Sequence, residues 1–322
     1  MKSSENPIIV LTGPTGSGKT AISMEIAKRY GNIEIICADS TTVYRGMDIG
    51  TDKPTLHRHS EQSEESRPRS FVPTQDDEGV VIRGVKHHML DIIDPDKEFN
   101  VSIFLDKVTT LVDQIHGRGN IPMLVGGAVM YIDAFVFNYE LPPVAPNEGL
   151  RQELEKLETP ELFAKLCKLD PDAEWTIDGK NRRRIIRAIE VWMGTERPFS
   201  EQKSKTPLPA NILYLAVNRD RDELYKSIDM RVDQMFRDGL IEEVKALLPK
   251  YRGTIAMNST GYKQITEFLD GNSPLEEAVV AIKQAHRNYA KRQLTWLRKN
   301  PDVKWISCQT EAIHLISQFL KE

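Results

Sequence analysis

Gly13-Pro14-Thr15-Gly16-Ser17-Gly18-Lys19-Thr20 fits the pattern G-x-x-x-x-G-K-[ST], a loop that cradles phosphate. The apolar, β-branched run Pro7–Leu11 precedes it and reads as a buried parallel strand. Ala21–Arg29 follows as a helix, with Ala21, Ile22, Met24 and Ile26 as its apolar positions. Strand, glycine loop and helix thus stand in the order that an anion site needs. Glycines let backbone N–H groups converge on an anion at the positive end of the helix, and Lys19 adds a point charge. The Thr20 hydroxyl is a candidate Mg²⁺ ligand. The loop alone does not say which phosphate it holds.

A chain of 322 residues exceeds one small domain, and 40% hydrophobic with 28% charged residues describes an ordinary globular protein. The net charge of −4 argues against coating nucleic acid by bulk charge, but it leaves room for a local basic face. Cys37, Cys167 and Cys308 are isolated and odd in number, so neither a disulfide framework nor a cysteine metal site is indicated. No apolar run approaches the ~20 residues of a membrane span, and Met1–Pro7 is polar. We expect a cytoplasmic protein with no membrane contact.

Ile33–Ala38 is a second apolar run and ends at Asp39-Ser40. Residues 57–83 change character, with Glu61-Gln62-Ser63-Glu64-Glu65-Ser66 and Asp76-Asp77-Glu78 and few aliphatics, so they read as a low-complexity surface insertion. Val101–His116 has helical spacing, and Ile121–Val125 is a strand ending at Gly126-Gly127. Between Leu141 and Pro209 strand signals vanish, and helical stretches at Glu148–Glu158, Pro160–Leu169 and Lys180–Met193 take over. The sheet returns at Ile212–Val217, followed by helices over Asp222–Arg237, Ile241–Leu248, Ser259–Leu269 and Pro274–Lys299. The expected fold is α/β, a P-loop NTPase-like parallel sheet core flanked by helices, with an all-helical insertion domain. Its divisions are 1–140 for the first part of the core, 141–209 for the insertion and 210–322 for the second part.

Three groups of residues could carry chemistry. Asp39 ends a strand one removed from the phosphate loop, where a carboxylate holds Mg²⁺ through water, serves as a general base, or merely caps the following turn. Arg183, Arg184 and Arg187 lie three and four apart on one helix face, placed either for phosphate contacts or for pairing with Glu190 and Glu196. His286–Lys299 interleaves aromatic and basic residues, a pattern suited to nucleic acid, although Trp296 and Leu297 read as core side chains ahead of stacking platforms. His87-His88 is not a metal pair, because adjacent residues do not share a face. Arg219 and Arg221 follow a sheet strand and so reach the ligand crevice at its end.

Taken together these residues resemble the tRNA dimethylallyltransferases. The resemblance runs through Gly13–Thr20, Ala38-Asp39-Ser40, Val43–Thr51, Lys53-Pro54, His87-His88, Leu90-Asp91, Asp94-Pro95 and Val125-Gly126-Gly127. It continues through Tyr131, Arg183-Arg184, Arg187–Val191, Asp220-Arg221, Leu224-Tyr225, Gly239–Val244, Gly261-Tyr262-Lys263 and Ala290–Trp296. It implies transfer of a dimethylallyl group from dimethylallyl diphosphate to N6 of the adenosine beside the tRNA anticodon. Gly13, Pro14, Thr15, Gly16, Ser17, Gly18, Lys19 and Thr20 would hold the diphosphate, with Mg²⁺ at Thr20. Asp39, Arg221 and Lys19 would be catalytic, Asp39 as base and Arg221 as a diphosphate cation. Asp39, Ser40, Thr41, Thr42, Ala128, Arg151, Arg183, Arg184, Ile185, Ile186 and Arg187 would meet the anticodon stem-loop. A monomer is expected.

The chain departs from the family at four places. Thr42 stands where glutamine is usual, and Ala128-Val129-Met130 where Thr-Gly-Leu is usual, so a hydroxyl and glycine-only dihedrals are lost there. Asn258-Ser259-Thr260 replaces the usual approach to Gly261, and residues 57–83 lengthen one link. The alternatives are an adenine-nucleotide prenyltransferase or small-molecule kinase, and a P-loop switch that binds ATP or GTP and RNA.

Overall fold

The computed structural model describes residues 6–54, 79–201 and 211–321. In chain order the elements are β1 (Pro7–Thr12), α1 (Lys19–Tyr30), β2 (Ile33–Cys37), β3 (Val80–Ile82), β4 (Val85–His88), α2 (Val101–Gly117), β5 (Ile121–Gly126) and α3 (Val129–Val136). The helices α4 (Glu148–Leu154), α5 (Thr159–Leu169), α6 (Ala173–Thr176) and α7 (Arg182–Thr195) come next. Then come β6 (Asn211–Val217), α8 (Arg221–Arg237), α9 (Leu240–Tyr251), α10 (Tyr262–Leu269), α11 (Leu275–Leu297), β7 (Lys304–Ile306) and α12 (Gln309–Phe319).

The strands form one sheet in the order β3-β4-β2-β5-β1-β6-β7. All pairings are parallel except β3 with β4. β1 sits between β5 and β6, with Val10 opposite Leu124 on one side and Tyr214 on the other. A strand with neighbours on both edges and helices on both faces meets no water, which is why Ile8–Leu11 are all apolar and at most 2% exposed. Burying each such side chain contributes about 2 kcal/mol. The chain passes from β1 to β2 and β4 on one side, returns to β5, then crosses to β6 on the other. The C-terminal ends of β1, β2 and β5 therefore open on a topological switch point, where ligands of such sheets bind.

Two compact units are present, one of residues 1–132 and 209–322 and one of 133–208. Among its described residues the second contains helices and no named strand. Its core joins Leu154, Leu162, Leu166, Ile177, Ile185, Ile186 and Ile189. The Asn181 side chain caps α7 by accepting from Arg184 N.

Some elements differ from their sequence reading. Residues 57–78 of the expected insertion lie outside the described residues. Its last part, Val80–Ile82, is an antiparallel edge strand on β4 rather than a surface excursion. β4 itself, with His87 and His88 in it, carries too few aliphatics to announce a strand. Val129 opens α3 with a negative φ, so glycine-only dihedrals are not required there. Trp296 is 41% exposed while Leu297 is fully buried. Among the described residues no helix is long and apolar enough to cross a membrane.

Candidate active site

The phosphate loop joins β1 to α1. Gly13, Gly16 and Gly18 have φ of 144°, 78° and 87°, angles that side chains with a Cβ rarely adopt and that turn the intervening N–H groups inward. Lys19 Nζ folds back to donate to Pro14 O at 2.8 Å. A cavity of about 110 Å³ opens beside the loop. It is bounded by Thr15, Lys19 and Thr20 from the loop, by Asp39 and Thr42 after β2, and by Gly126 and Gly127 after β5. Ile35, Cys37, His87 and Val125 give it an apolar end.

The charges here are arranged around one carboxylate. Asp39 Oδ1 accepts from Thr41 N at 2.8 Å and Thr41 Oγ1 at 2.7 Å, which fixes the side chain. Burial and the adjacent Arg231 pull Lys19 down to about 7, with Asp39 opposing. Burial likewise lowers Arg231 to about 10. The Cys37 thiol is pushed up to about 12 by burial and by Asp39, so it stays protonated and inert. Burial and Asp39 also raise Tyr289.

Arg231 was not among the residues expected from sequence, and it dominates this wall. Its Nη1 donates to Thr15 Oγ1 at 2.7 Å, and its Nε lies 3.0 Å from Asp52 Oδ2. α8 buries Leu224, Ile228 and Val232, and Ser227 Oγ donates to Gly16 O at 3.0 Å. Ser227 and Arg231, one turn apart beside that apolar stripe, therefore lie along the phosphate loop. Arg221 is ten residues earlier on the same helix, roughly 15 Å along its axis. It is exposed, sits 5.3 Å from the Tyr225 ring centroid and does not line the cavity. Arg219 does approach the loop: a Cβ on Gly18 would be 3.3 Å from its Nη2.

Two residues of α11 complete the walls. Gln293, 4% exposed, accepts from Thr15 N at 2.8 Å and donates to Gly127 O at 2.8 Å, tying the phosphate loop to the turn after β5. Tyr289 Oη donates to the same Gly127 O at 3.0 Å. Tyr289, Gln293 and Gly127 are shared with a second, shallower cavity of about 230 Å³. Ser40, Ala128, Met130, Tyr131, Arg292 and Trp296 line that one. The spacing Tyr289, Gln293, Trp296 is the readable signal, since four and three residues mark one helix face.

The remaining candidates divide by burial. Ser40 and Ala128 reach the second cavity, whereas the Thr41 hydroxyl is taken by Asp39. Thr42 Oγ1 is buried, finds no hydrogen-bond partner among the described residues and lines the first cavity. In the helical unit Ile185 and Ile186 are core side chains, 0% and 4% exposed, so they offer RNA no surface. Arg151 and Arg187 pair with Glu190, at 3.0 and 2.5 Å. Arg183 and Arg184 are exposed. Among the described residues no group of three His, Cys, Asp or Glu is placed to hold a metal.

Comparison with known proteins agrees with this architecture. A family model described as IPP transferase matches residues 71–300. The tRNA dimethylallyltransferase of Thermomicrobium roseum is 39% identical over 305 residues, covering 93% of this chain and 85% of that protein. The crystal structure of a tRNA isopentenylpyrophosphate transferase from Bacillus halodurans superposes with a TM-score of 0.68 at 36% identity, covering 99% of this chain and 97% of the other. A eukaryotic dimethylallyltransferase, caught in crystallographic snapshots acting on tRNA, superposes with a TM-score of 0.78 at 25% identity over 98% of this chain and 80% of its own. The chain belongs to the IPP transferase family.

Proposed function

We propose that the protein transfers a dimethylallyl group from dimethylallyl diphosphate to N6 of the adenosine 3′-adjacent to a tRNA anticodon, releasing diphosphate. One observation carries the reading: Asp39, a fixed carboxylate, shares a single cavity with an anion cradle made of the phosphate loop, Lys19 and Arg231. A phosphate-binding switch needs the cradle but no base beside it.

The chemistry follows from that juxtaposition. The loop N–H groups, Lys19 and Arg231 bind the diphosphate and stabilise the charge that grows on it as the C1–O bond breaks. The electron pair leaves with diphosphate while N6 forms its bond to C1 and its proton passes to Asp39. An exocyclic amine conjugated to a purine is a weak nucleophile, so holding it against C1 contributes more than removing its proton. The base must leave the anticodon stack, and the second cavity offers it Tyr131, Arg292 and Trp296 as flat partners. Arg231 takes the part that the family resemblance gives to Arg221. Exposed Arg183 and Arg184 contact RNA phosphates, while Arg151 and Arg187 hold their own unit together.

Mg²⁺ fits this donor set in a limited way. Thr20 and Asp39 both line the cavity, and an ion that accompanies a diphosphate needs only one or two protein ligands. Bound there, it would neutralise part of the diphosphate charge. We take the protein to work as a cytoplasmic monomer, a reading supported by its unremarkable charge and by the two cavities lying within one unit.

Calorimetric titration with dimethylallyl diphosphate, ATP and GTP tests the proposal. Dimethylallyl diphosphate binds at least tenfold more tightly than either nucleotide if the cradle serves a leaving group. Tight nucleotide binding with no dimethylallyl diphosphate binding would sink it in favour of a switch.

A further inference from the structure

The turn of residues 48–53 after β2 is held by residues that take no direct part in either cavity. Glu243, in the first turn of α9, points its carboxylate at a turn of residues 48–52. Its Oε2 accepts from Asp48 N at 2.8 Å and Ile49 N at 2.7 Å, and its Oε1 from Gly50 N at 3.1 Å. Tyr262, at the start of α10, donates its hydroxyl to Glu243 Oε1 at 2.6 Å and is fully buried. The Tyr262 ring packs against Gly50, where a Cβ would lie 2.5 Å from it. Three converging N–H groups and one phenol saturate this carboxylate, and two elements from late in the sequence grip one early turn.

The turn ends at Asp52, which has a φ of 55°. Aspartate is among the side chains that tolerate this left-handed angle best, so the φ marks a tight turn. The next residue, Lys53, is 2% exposed and is clasped by Tyr44 O at 2.8 Å, Asp48 Oδ1 at 2.6 Å and Asp91 Oδ1 at 2.5 Å. So the turn is fixed on both sides of Asp52, and Asp52 is the residue that meets Arg231. Thr15 hydrogen-bonds Nη1 of the guanidinium, and the Asp52 carboxylate stands 3.0 Å from its Nε as the counter-charge.

We infer that Glu243 and Tyr262 are positioning residues for the donor substrate: they set Asp52, which aims Arg231 at the diphosphate. The inference rests on the proposed reading of the cavity as a diphosphate site. Glu243→Gln keeps size and shape but replaces an acceptor oxygen with an NH₂ group facing the Gly50 N–H. Asp52 then loses its fixed place, and the guanidinium its aim, without any change in the cavity's own side chains.

The test is a double-mutant cycle on dimethylallyl diphosphate affinity, measured by calorimetry on the full chain, with melting temperature and RNA-hairpin affinity recorded alongside. Glu243→Gln and Asp52→Asn each weaken dimethylallyl diphosphate binding about tenfold, and the double variant is no weaker than Asp52→Asn by more than about twofold. Hairpin affinity stays at the wild-type value. Tyr262→Phe gives a smaller loss in the same direction and serves in the cycle if Glu243→Gln does not fold. Additive losses, equal losses for both substrates, or a lowered melting temperature with unchanged donor affinity would each make the contact merely structural and overturn the inference. A wild-type chain that binds no dimethylallyl diphosphate overturns the proposed function and this inference together.

Discussion

Raising the pH should weaken donor binding through Lys19. Burial and Arg231 hold this amine at about 7 in the free protein, and a bound diphosphate supplies the counter-charge that restores its proton. Binding then carries a factor of 1 + 10^(pH − pKa), which grows from about 2 at pH 7 to about 100 at pH 9. The association constant falls about 50-fold over that range, roughly 2 kcal/mol. The ligand does not confound the trend, because its terminal phosphate ionises near pH ~6. The sign is fixed: a cation that must be present in the complex is absent from the free site above its pKa. Calorimetry at fixed free Mg²⁺, in buffers of differing ionisation enthalpy, reads both the affinity and an uptake of about 0.9 proton at pH 8. Lys19→Met binds weakly and shows no slope. An affinity that holds within twofold from pH 7 to 9 without proton uptake would refute the reasoning.

Asp39→Asn keeps the turn but removes the base, so kcat drops about 10²–10³-fold while donor affinity changes only a few-fold; wild-type turnover in this variant would exclude the base role. The Arg183→Ala/Arg184→Ala double variant lowers the slope of log affinity against log salt for hairpin RNA by about 2, one per phosphate contact, in a filter-binding titration. Arg187→Ala, by contrast, leaves that slope almost unchanged and acts on folding. Glu190→Gln leaves Arg151 and Arg187 facing a neutral amide in place of a carboxylate that is 1% exposed. It costs about 2 kcal/mol, discounted from a fully buried pair because both arginines are about one-third exposed, and lowers the melting temperature of the helical unit.

The phosphate loop, the parallel sheet and the helical segment were legible because each depends on local signals: a glycine spacing, apolar runs and helical periodicity. Asp39 was legible for the same reason, as a polar residue ending an apolar strand. Arg231 was not, because its importance comes from one turn of α8 packing on a loop more than 200 residues away, and helical spacing alone does not name the partner. Gln293 and Tyr289 escaped for the same reason. Ile185 and Ile186, which the resemblance sets against the anticodon stem-loop, point into the core instead, because neighbours in a helix point to different faces and these two lie away from the arginines. Arg187 pairs with Glu190, one of the two alternatives that the sequence leaves open for it.

Transfer itself is read by mass analysis of tRNA after incubation with the protein, Mg²⁺ and dimethylallyl diphosphate. One added dimethylallyl group is expected, located on N6 of the adenosine 3′-adjacent to the anticodon, and none with Asp39→Asn over the same interval. Unmodified tRNA from a folded wild-type protein that binds both substrates would contradict the proposed transfer.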